Sequence, residues 1–369
     1  MSLLLERRLR KGVESLNASR GRQIPLAAIE RIVRRHEKPD LLARILSRVL
    51  EFEADPRRYG SPRSVREQQK YNRKCDYSAS LLVSEALSLF FDRYVLAGAA
   101  GYDERLVRDK AGQLSKEGYF TDRTLVGAAD CEEIVDFLSR EEVLFRENVG
   151  GRVHRGYTPA NVAATTSNIC RMTDQSALLA CPAVGKLVFD PNLLAITQDF
   201  LGAPPIHTQT NAWWSVGYSD RLEHVKAAAQ RFHQDRDYIK VLKIFVYLTD
   251  VGDDNGPHQF VAGSNVDYAA RSGNELRSSR RLSDEFLASR YPPDRFRVFT
   301  GPRGTVIGED TSGFHKGALP RKGHRLVLQI EYVSSLYARP KAYLSQRARL
   351  HAEPLAMGFE RLLSAYDAP

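Results

Sequence analysis

The stretch "FHQDRDYIKVLKIFVYLTDVGDDNGPHQFVAGSN", residues Phe232–Asn265, decides how the rest of the chain is read. It opens with His233, Asp235 and Asp237 on alternate positions, just ahead of an apolar run through Val241, Ile244, Phe245 and Tyr247. Alternate residues of an extended chain point to one side of a sheet. The segment therefore turns an imidazole and at least one carboxylate toward one face. A solvated sheet surface gains nothing from a histidine there; a metal ion does. His-x-Asp alone is a weak signal, and Asp237 suits a solvent-facing or capping role better than ligation.

A third ligand has to come from elsewhere, because neighbours along one strand cannot close the face. The stretch "EDTSGFHKGALPRKGHRLVLQIEY" offers His315, in a Gly-flanked loop ahead of a strong strand. Two histidines and one carboxylate on one face leave open positions, the donor set used for non-haem Fe(II) oxygen chemistry. Arg325 opens the strand that follows. An always-charged guanidinium beside a metal suits the carboxylate of an organic acid, which it grips with two parallel hydrogen bonds. On that strand Arg325, Val327, Gln329 and Glu331 share one face, pointing into the cavity. Leu326, Leu328, Ile330 and Tyr332 share the other, packing on helices.

Outward from this centre the texture changes. From about Ile206 onward, short β-rich runs such as "IHTQTNAWWSV", "HQFVAGS" and "FRVFTGPRGTVIGED" alternate with Gly, Asn and Pro. That spacing predicts a sandwich or jelly roll, not a parallel α/β sheet. Asn255-Gly256 is a strong hairpin signal. The adjacent Trp213 and Trp214 predict one core residue and one pocket wall. The first hundred or so residues read as helical. Asp40 is the expected cap of a helix carrying Leu41, Leu42, Ile45, Leu46, Val49 and Leu50 on one face, and a second helix is expected over Tyr77–Leu96. The polar, proline-containing "ADPRRYGSPRSVREQQKYNRK" between them reads as a loop. Asp130 and Glu133 resemble a capping box ahead of a short helix. A polar, Arg-rich insertion from about Val266 to Arg295 reads as surface decoration or a lid.

With 369 residues, 43% of them hydrophobic, the chain can bury a substantial core plus an extension. No stretch reaches the roughly 20 apolar residues of a membrane span. The N-terminus lacks a signal-peptide core, and four isolated cysteines form neither a disulfide framework nor a zinc site. A cytoplasmic protein is the expectation. The net charge of +9 favours anionic partners. Its basic residues are scattered with no nucleic-acid motif to organise them, so an anionic small molecule is expected rather than nucleic acid.

The H-x-D of "FHQDRDY", the "DDNGPHQFVAGSN" segment, the distal His of "FHKG" and Arg325 together resemble the phytanoyl-CoA dioxygenase family of Fe(II)/2-oxoglutarate oxygenases. The resemblance spans about Gly118 to Tyr337 and is most specific between Gln209 and Tyr332. It implies an α+β fold: a double-stranded β-helix (jelly roll, cupin-like) core over 116–350 with flanking helices. A helical N-terminal extension, 1–115, precedes it, 266–295 is inserted in it as a lid-like segment, and 351–369 is a tail. It implies that His233, Asp235 and His315 ligate Fe(II), that 2-oxoglutarate and O2 are co-substrates, and that Arg325 binds the distal carboxylate of 2-oxoglutarate. Asn211 and Lys243 become candidate co-substrate contacts. Family members often read "GSH" where this chain has "GSN" at Asn265, a position that is not a ligand. The implied reaction is hydroxylation of a small molecule. Competing readings are a cupin-like metalloenzyme without 2-oxoglutarate and an inactive jelly-roll binding module. Arg325 discriminates against the first, and the complete ligand set against the second.

Overall fold

The computed structural model describes residues 3–56, 77–147, 152–157, 165–172, 176–235, 238–266, 281–337, 345–355, 357–359 and 361–366. The loop expected between the first helices therefore lies outside the described residues from residue 57 on, as do Asp237 and residues 267–280 of the insertion.

Helices α1 (Leu3–Arg20), α2 (Leu26–Arg34), α3 (Pro39–Ala54) and α4 (Tyr77–Ser88) share a core around Leu9, Leu16, Ile29, Leu46, Val49 and Val83. In α3 the apolar stripe is buried as its period requires, but Asp40 does not cap the helix. Pro39 opens it and Asp40 sits in the first turn, where a missing proline N–H costs nothing and an acid faces the positive helix end. Helix α4 stops at Ser88, short of the expected Leu96. Beyond it, the Tyr94 N–H donates to Gln198 Oε1 (2.8 Å) and Gln198 Nε2 donates to the Tyr94 carbonyl (3.3 Å). Tertiary hydrogen bonds thus replace helical ones. Next come α5 (Glu104–Glu117), α6 (Ala128–Ser139), α7 (Pro182–Val188) and α8 (Pro191–Leu201). The expected box at Asp130 and Glu133 is displaced by one turn. Gly127 is the cap, and Asp130 reaches back to accept from its N–H at 3.2 Å.

The strands are β1 (Tyr119–Asp122), β2 (Val143–Arg146), β3 (Val153–Tyr157), β4 (Ile169–Met172), β5 (Ile206–Val216), β6 (Val241–Tyr247), β7 (His258–Val261), β8 (Phe296–Phe299), β9 (Val306–Glu309), β10 (His315–Gly317) and β11 (His324–Val333). They form two antiparallel sheets, ordered β1-β9-β6-β11-β5-β4-β2-β3 and β10-β7-β8. The protein is thus a mixture of helices and antiparallel sheets. Among the described residues no helix is long and apolar enough to cross a membrane.

Asn255-Gly256 does not close a hairpin. Strand β6 before it belongs to the larger sheet and β7 after it to the smaller. The turn chemistry itself is as read: Gly256 has φ 77°, and a Cβ there would lie 2.4 Å from the Ala318 carbonyl oxygen. A turn sequence specifies local dihedrals; the partners of β6 and β7 are chosen by distant strands.

The two faces of the larger sheet divide as β11 predicts. Leu326, Leu328, Ile330 and Tyr332 are buried with Leu187, Leu194 and Ile196 of the helices. Arg325, Val327, Gln329 and Glu331 turn the other way, and Val327 joins Phe245, Tyr247, Phe260 and Ile307 between the sheets. A bulge between Glu331 and Tyr332 resets the register with β5, turning His207 to the helical side, where it meets Tyr332 and Tyr366.

Candidate metal centre

Only part of "FHQDRD" is a strand. Phe232 and His233 make single antiparallel bridges, to Leu282 and His315 respectively. His233 and His315 exchange both backbone hydrogen bonds, each at 3.0 Å, so the two imidazoles start from directly opposed Cα positions. The Asp235 N–H donates to the Thr311 carbonyl at 2.7 Å, and Gln234 Nε2 donates to Ser312 O at 2.5 Å. These bonds fix the segment carrying His233 and Asp235 to the turn that leads into His315.

That turn is itself held from outside. Asn265 Nδ2 donates to Asp310 Oδ2 at 2.9 Å, and the Phe314 N–H donates to Ser264 Oγ at 2.8 Å. The "GSN" triplet thus buttresses the loop of the third candidate ligand. Gly118 closes this corner: its φ is +83°, and a Cβ there would sit 2.7 Å from Asn265 Oδ1, so no larger residue fits without displacement.

His233, Asp235 and His315 each present one ligand atom within 4.8 Å of the others. His315 Nε2 lies 3.6 Å from Asp235 Oδ2, and His233 Nε2 lies 3.9 Å from Asp235 Oδ1. Both histidines donate Nδ1–H to the backbone carbonyl two residues earlier, Arg231 and Gly313, at 3.0 Å. A carbonyl only accepts, so each Nδ1 carries the proton and each Nε2 offers its lone pair to the centre. Desolvation first, and then His315, hold His233 well below the usual histidine range. Burial opposes ionisation of Asp235, but the Lys243 ammonium, which also hydrogen-bonds it, overrides that and keeps the carboxylate charged. A neutral His233 and a charged Asp235 are protonation states in which both can ligate a metal. Ligands on one face of an octahedral ion with bonds of about 2.1 Å lie about 3 Å apart, so the three groups need to close by roughly an ångström each. The donor set fits a divalent ion.

Lys243, expected as a co-substrate contact, sits in the site with carboxylates at two of its hydrogens. Its Nζ is 2.7 Å from Asp235 Oδ2 and 3.3 Å from Glu331 Oε2. Burial works against its charge, and Asp235 with Glu331 more than restore it. Asn211 lies across β11 from Lys243's strand, paired with Gln329, and its buried Oδ1 has no hydrogen-bond partner.

Arg325 is 3% exposed. It donates to the Gly256 carbonyl and, at 3.1 Å, to Ser215 Oγ. Its Nε is buried without a partner, and no carboxylate among the described residues pairs with it. Desolvation lowers its pKa. Gly317, two residues beyond His315, makes room for it: a Cβ there would lie 2.3 Å from Arg325 Nη2.

Sequence reading missed two residues beside this cluster. His258 Nε2 and Glu309 Oε2 are 2.6 Å apart, and Glu309 Oε1 is 3.5 Å from His315 Nδ1. Burial pushes Glu309 up to about 8 and, with Arg325 adding to it, His258 down to about 3. The pair is therefore neutral, sharing one proton. The available signals were a glutamate ending the apolar strand "TVIGE" and a histidine opening "HQFV". Neither names its partner. Of the tryptophans, Trp214 is core and Trp213 lines the inter-sheet space.

No family model and no curated protein matches this sequence. Several solved structures resemble it. EctD from S. alaskensis with bound Fe is 16% identical with a TM-score of 0.44, over 66% of this chain and 83% of that one. The epimerase SnoN in complex with Fe3+, alpha ketoglutarate and nogalamycin RO is 16% identical with a TM-score of 0.43, over 63% and 84%. HygX from Streptomyces hygroscopicus with nickel, 2-oxoglutarate and hygromycin B bound is 17% identical with a TM-score of 0.42, over 64% and 90%. All three hold a metal ion in those structures, and two hold 2-oxoglutarate (alpha ketoglutarate) as well. At TM-scores this low, the functional reading is carried by this chain's own side chains.

Proposed function

We propose that this protein is an Fe(II)- and 2-oxoglutarate-dependent oxygenase that hydroxylates a C–H bond of a small molecule. The observation that carries the reading is Arg325, a buried guanidinium with no carboxylate partner among the described residues, packed against Gly317 two residues beyond His315 and on the same β11 face as Glu331, which shares Lys243 with Asp235. An uncompensated buried charge is costly. A ligand carboxylate removes that cost, which a metal site without an organic acid leaves unexplained.

His233, Asp235 and His315 would hold the metal, and Arg325 the distal carboxylate of 2-oxoglutarate. The bound metal, co-substrate and O2 would together supply an oxidant able to attack an unactivated C–H bond. Lys243 holds Asp235 ionised and in place, and its third hydrogen remains available to an anion. Asn211 Oδ1 and its amide face the same space from β5. The formal charges balance: a divalent metal, Lys243 and Arg325 against Asp235, Glu331 and the two carboxylates of 2-oxoglutarate, with His258 and Glu309 neutral. Phe245, Val327 and Ile307 exclude water from the reacting region.

The strand order supports a jelly-roll reading of the core. Strands β5, β6, β9 and β11 belong to the larger sheet and the Phe232–His233 bridge, β7, β8 and β10 to the other side, so from β5 to β11 the chain changes layer at every step except between β7 and β8. In this reading the helices of 1–115 form an extension to the oxygenase domain, 116–350, and their core takes in Ile239 and Tyr337 of that domain.

Anaerobic titration with Fe(II) and 2-oxoglutarate tests the function. The expected result is a weak visible charge-transfer band that Asp235→Ala abolishes. A wild-type protein that binds Fe(II) yet gives no band with saturating 2-oxoglutarate would return the cupin-like alternative.

A further inference from the structure

Glu309 and His258 form a buried pair that the proposed chemistry does not use. Glu309 ends β9, and in the sheet it stands beside Lys243, which in turn stands beside Glu331. Opposed residues of neighbouring strands share a face, so all three point toward the ligand cluster. Lys243 supports Asp235 from this row. Glu309 lies against His315, with Oε1 3.5 Å from Nδ1. Neighbouring positions of one sheet thus each meet a different candidate ligand.

Glu309 is fixed by His258, whose Nε2 is 2.6 Å from Oε2. The imidazole is itself held. Its backbone N–H donates to the Tyr247 hydroxyl at 2.9 Å, and its ring centre lies 4.7 Å from that of Phe245. His258 stands on β7 opposite Gly317 of β10, two residues from His315, and the two imidazoles are 6.0 Å apart and inclined by 23°. Whether the shared proton rests on Oε2 or on Nε2, Oε1 carries none and can only accept. It is buried and makes no hydrogen bond. A buried acceptor left without a donor costs free energy, and an apolar pair would pack between the sheets without that cost.

The donor beside Oε1 is the Nδ1–H of His315, committed to the Gly313 carbonyl at 3.0 Å. About half an ångström separates the Glu309 contact from an ordinary hydrogen bond, and the ligand side chains have to move by more than that to meet at an ion. A cation at Nε2 makes the Nδ1–H a stronger donor, and a metal-bound histidine is oriented by the acceptor at its other nitrogen.

We infer that Glu309, braced by His258, is a positioning residue for His315: in the metal-bound protein its Oε1 accepts the Nδ1–H and sets the tilt of the ring toward the ion. The inference rests on the metal-centre part of the oxygenase reading and is independent of 2-oxoglutarate.

The test is a calorimetric titration of Co(II), an air-stable stand-in for Fe(II), into the full chain without 2-oxoglutarate. Glu309→Met, which nearly keeps the volume and removes the acceptor, is expected to bind Co(II) about tenfold more weakly. Glu309→Gln keeps an acceptor oxygen and can donate to His258, so it is expected to stay within about threefold of the wild type. Should Glu309→Met fail to fold, the double variant His258→Leu, Glu309→Met leaves neither partner unpaired and is expected to show the same loss. Unchanged affinity in the methionine variant, or a glutamine variant as weak as the methionine one, would overturn the role. A crystal structure of the Co(II)-loaded wild type gives a second readout. Oε1 is expected about 3 Å from Nδ1, and a His315 ring still bonded to Gly313 alone would overturn the inference. A wild type that binds no Co(II) would take the metal-centre reading down as well, whereas unchanged binding by Glu309→Met leaves that reading intact.

Discussion

The two faces of strand β11 carry opposite chemistry on alternating residues. Toward the helices, Leu326, Leu328, Ile330 and Tyr332 are buried among apolar neighbours, and each contributes to stability without specifying any ligand. Toward the smaller sheet, Arg325, Gln329 and Glu331 are almost as buried but polar, and Arg325 has no partner of opposite charge among the described residues. One face lowers the free energy of the empty protein. The other leaves a cost that a ligand offsets. Substitutions on the two faces should therefore separate stability from binding.

The largest effect belongs to the helical face. Leu328 is fully buried, and Leu328→Ala should cost about 3 kcal/mol of unfolding free energy, through lost burial and the cavity left behind. Metal affinity of the folded fraction should not move. Chemical denaturation beside a metal titration checks both halves, and a Leu328→Ala protein with normal stability but impaired metal binding would break the division. His315→Ala should do the reverse. Changing a group that merely orients a ligand typically costs 10- to 100-fold in metal affinity. Loss of the ligand itself should exceed about 100-fold, near 2.7 kcal/mol, with little change in the stability of the metal-free protein.

Third is Arg325→Gln. The expected loss is about 30-fold in 2-oxoglutarate affinity, roughly 2 kcal/mol, read from the charge-transfer band. Because the guanidinium is buried against only a carbonyl and a hydroxyl, the ligand-free variant should be at least as stable as the wild type. A marked fall in its melting temperature would mean that Arg325 is a structural residue.

How far the sequence disclosed this arrangement follows the same division. The period of β11 was readable because alternation is a local property, and so was the stripe of α3. The clustering of His233, Asp235 and His315 was readable because His-x-Asp is local and His315 stands in an unusual glycine setting. Partners chosen across the fold were not. Nothing local told Lys243 that it faces Asp235 and Glu331, or His258 that it faces Glu309, because those pairings depend on strand order. The hairpin expected at Asn255-Gly256 failed for the same reason: the turn was right and the strand partners were not.

His207 is the exception that sharpens the contrast, a titratable group on the apolar side. The β-bulge places it there, fully buried, with Nε2 2.8 Å from Thr210 Oγ1 and Nδ1 2.9 Å from the Tyr366 hydroxyl. Burial drives its pKa down to about 3, against about 6.5 in an unfolded chain. The folded value is the lower one, so on acidification the unfolded state takes up the proton first. Stability is then complete above about pH 6.5 and is lost as the pH falls toward 3. Between pH 7 and pH 5.5 this single group should remove about 1.2 kcal/mol. His207→Gln keeps a polar group but cannot titrate. Denaturant unfolding at the two pH values should show the wild type losing about that much more than the variant. Parallel losses in both proteins would mean that His207 is already accessible to protons in the native state, and that the bulge does not seal it beneath Tyr366.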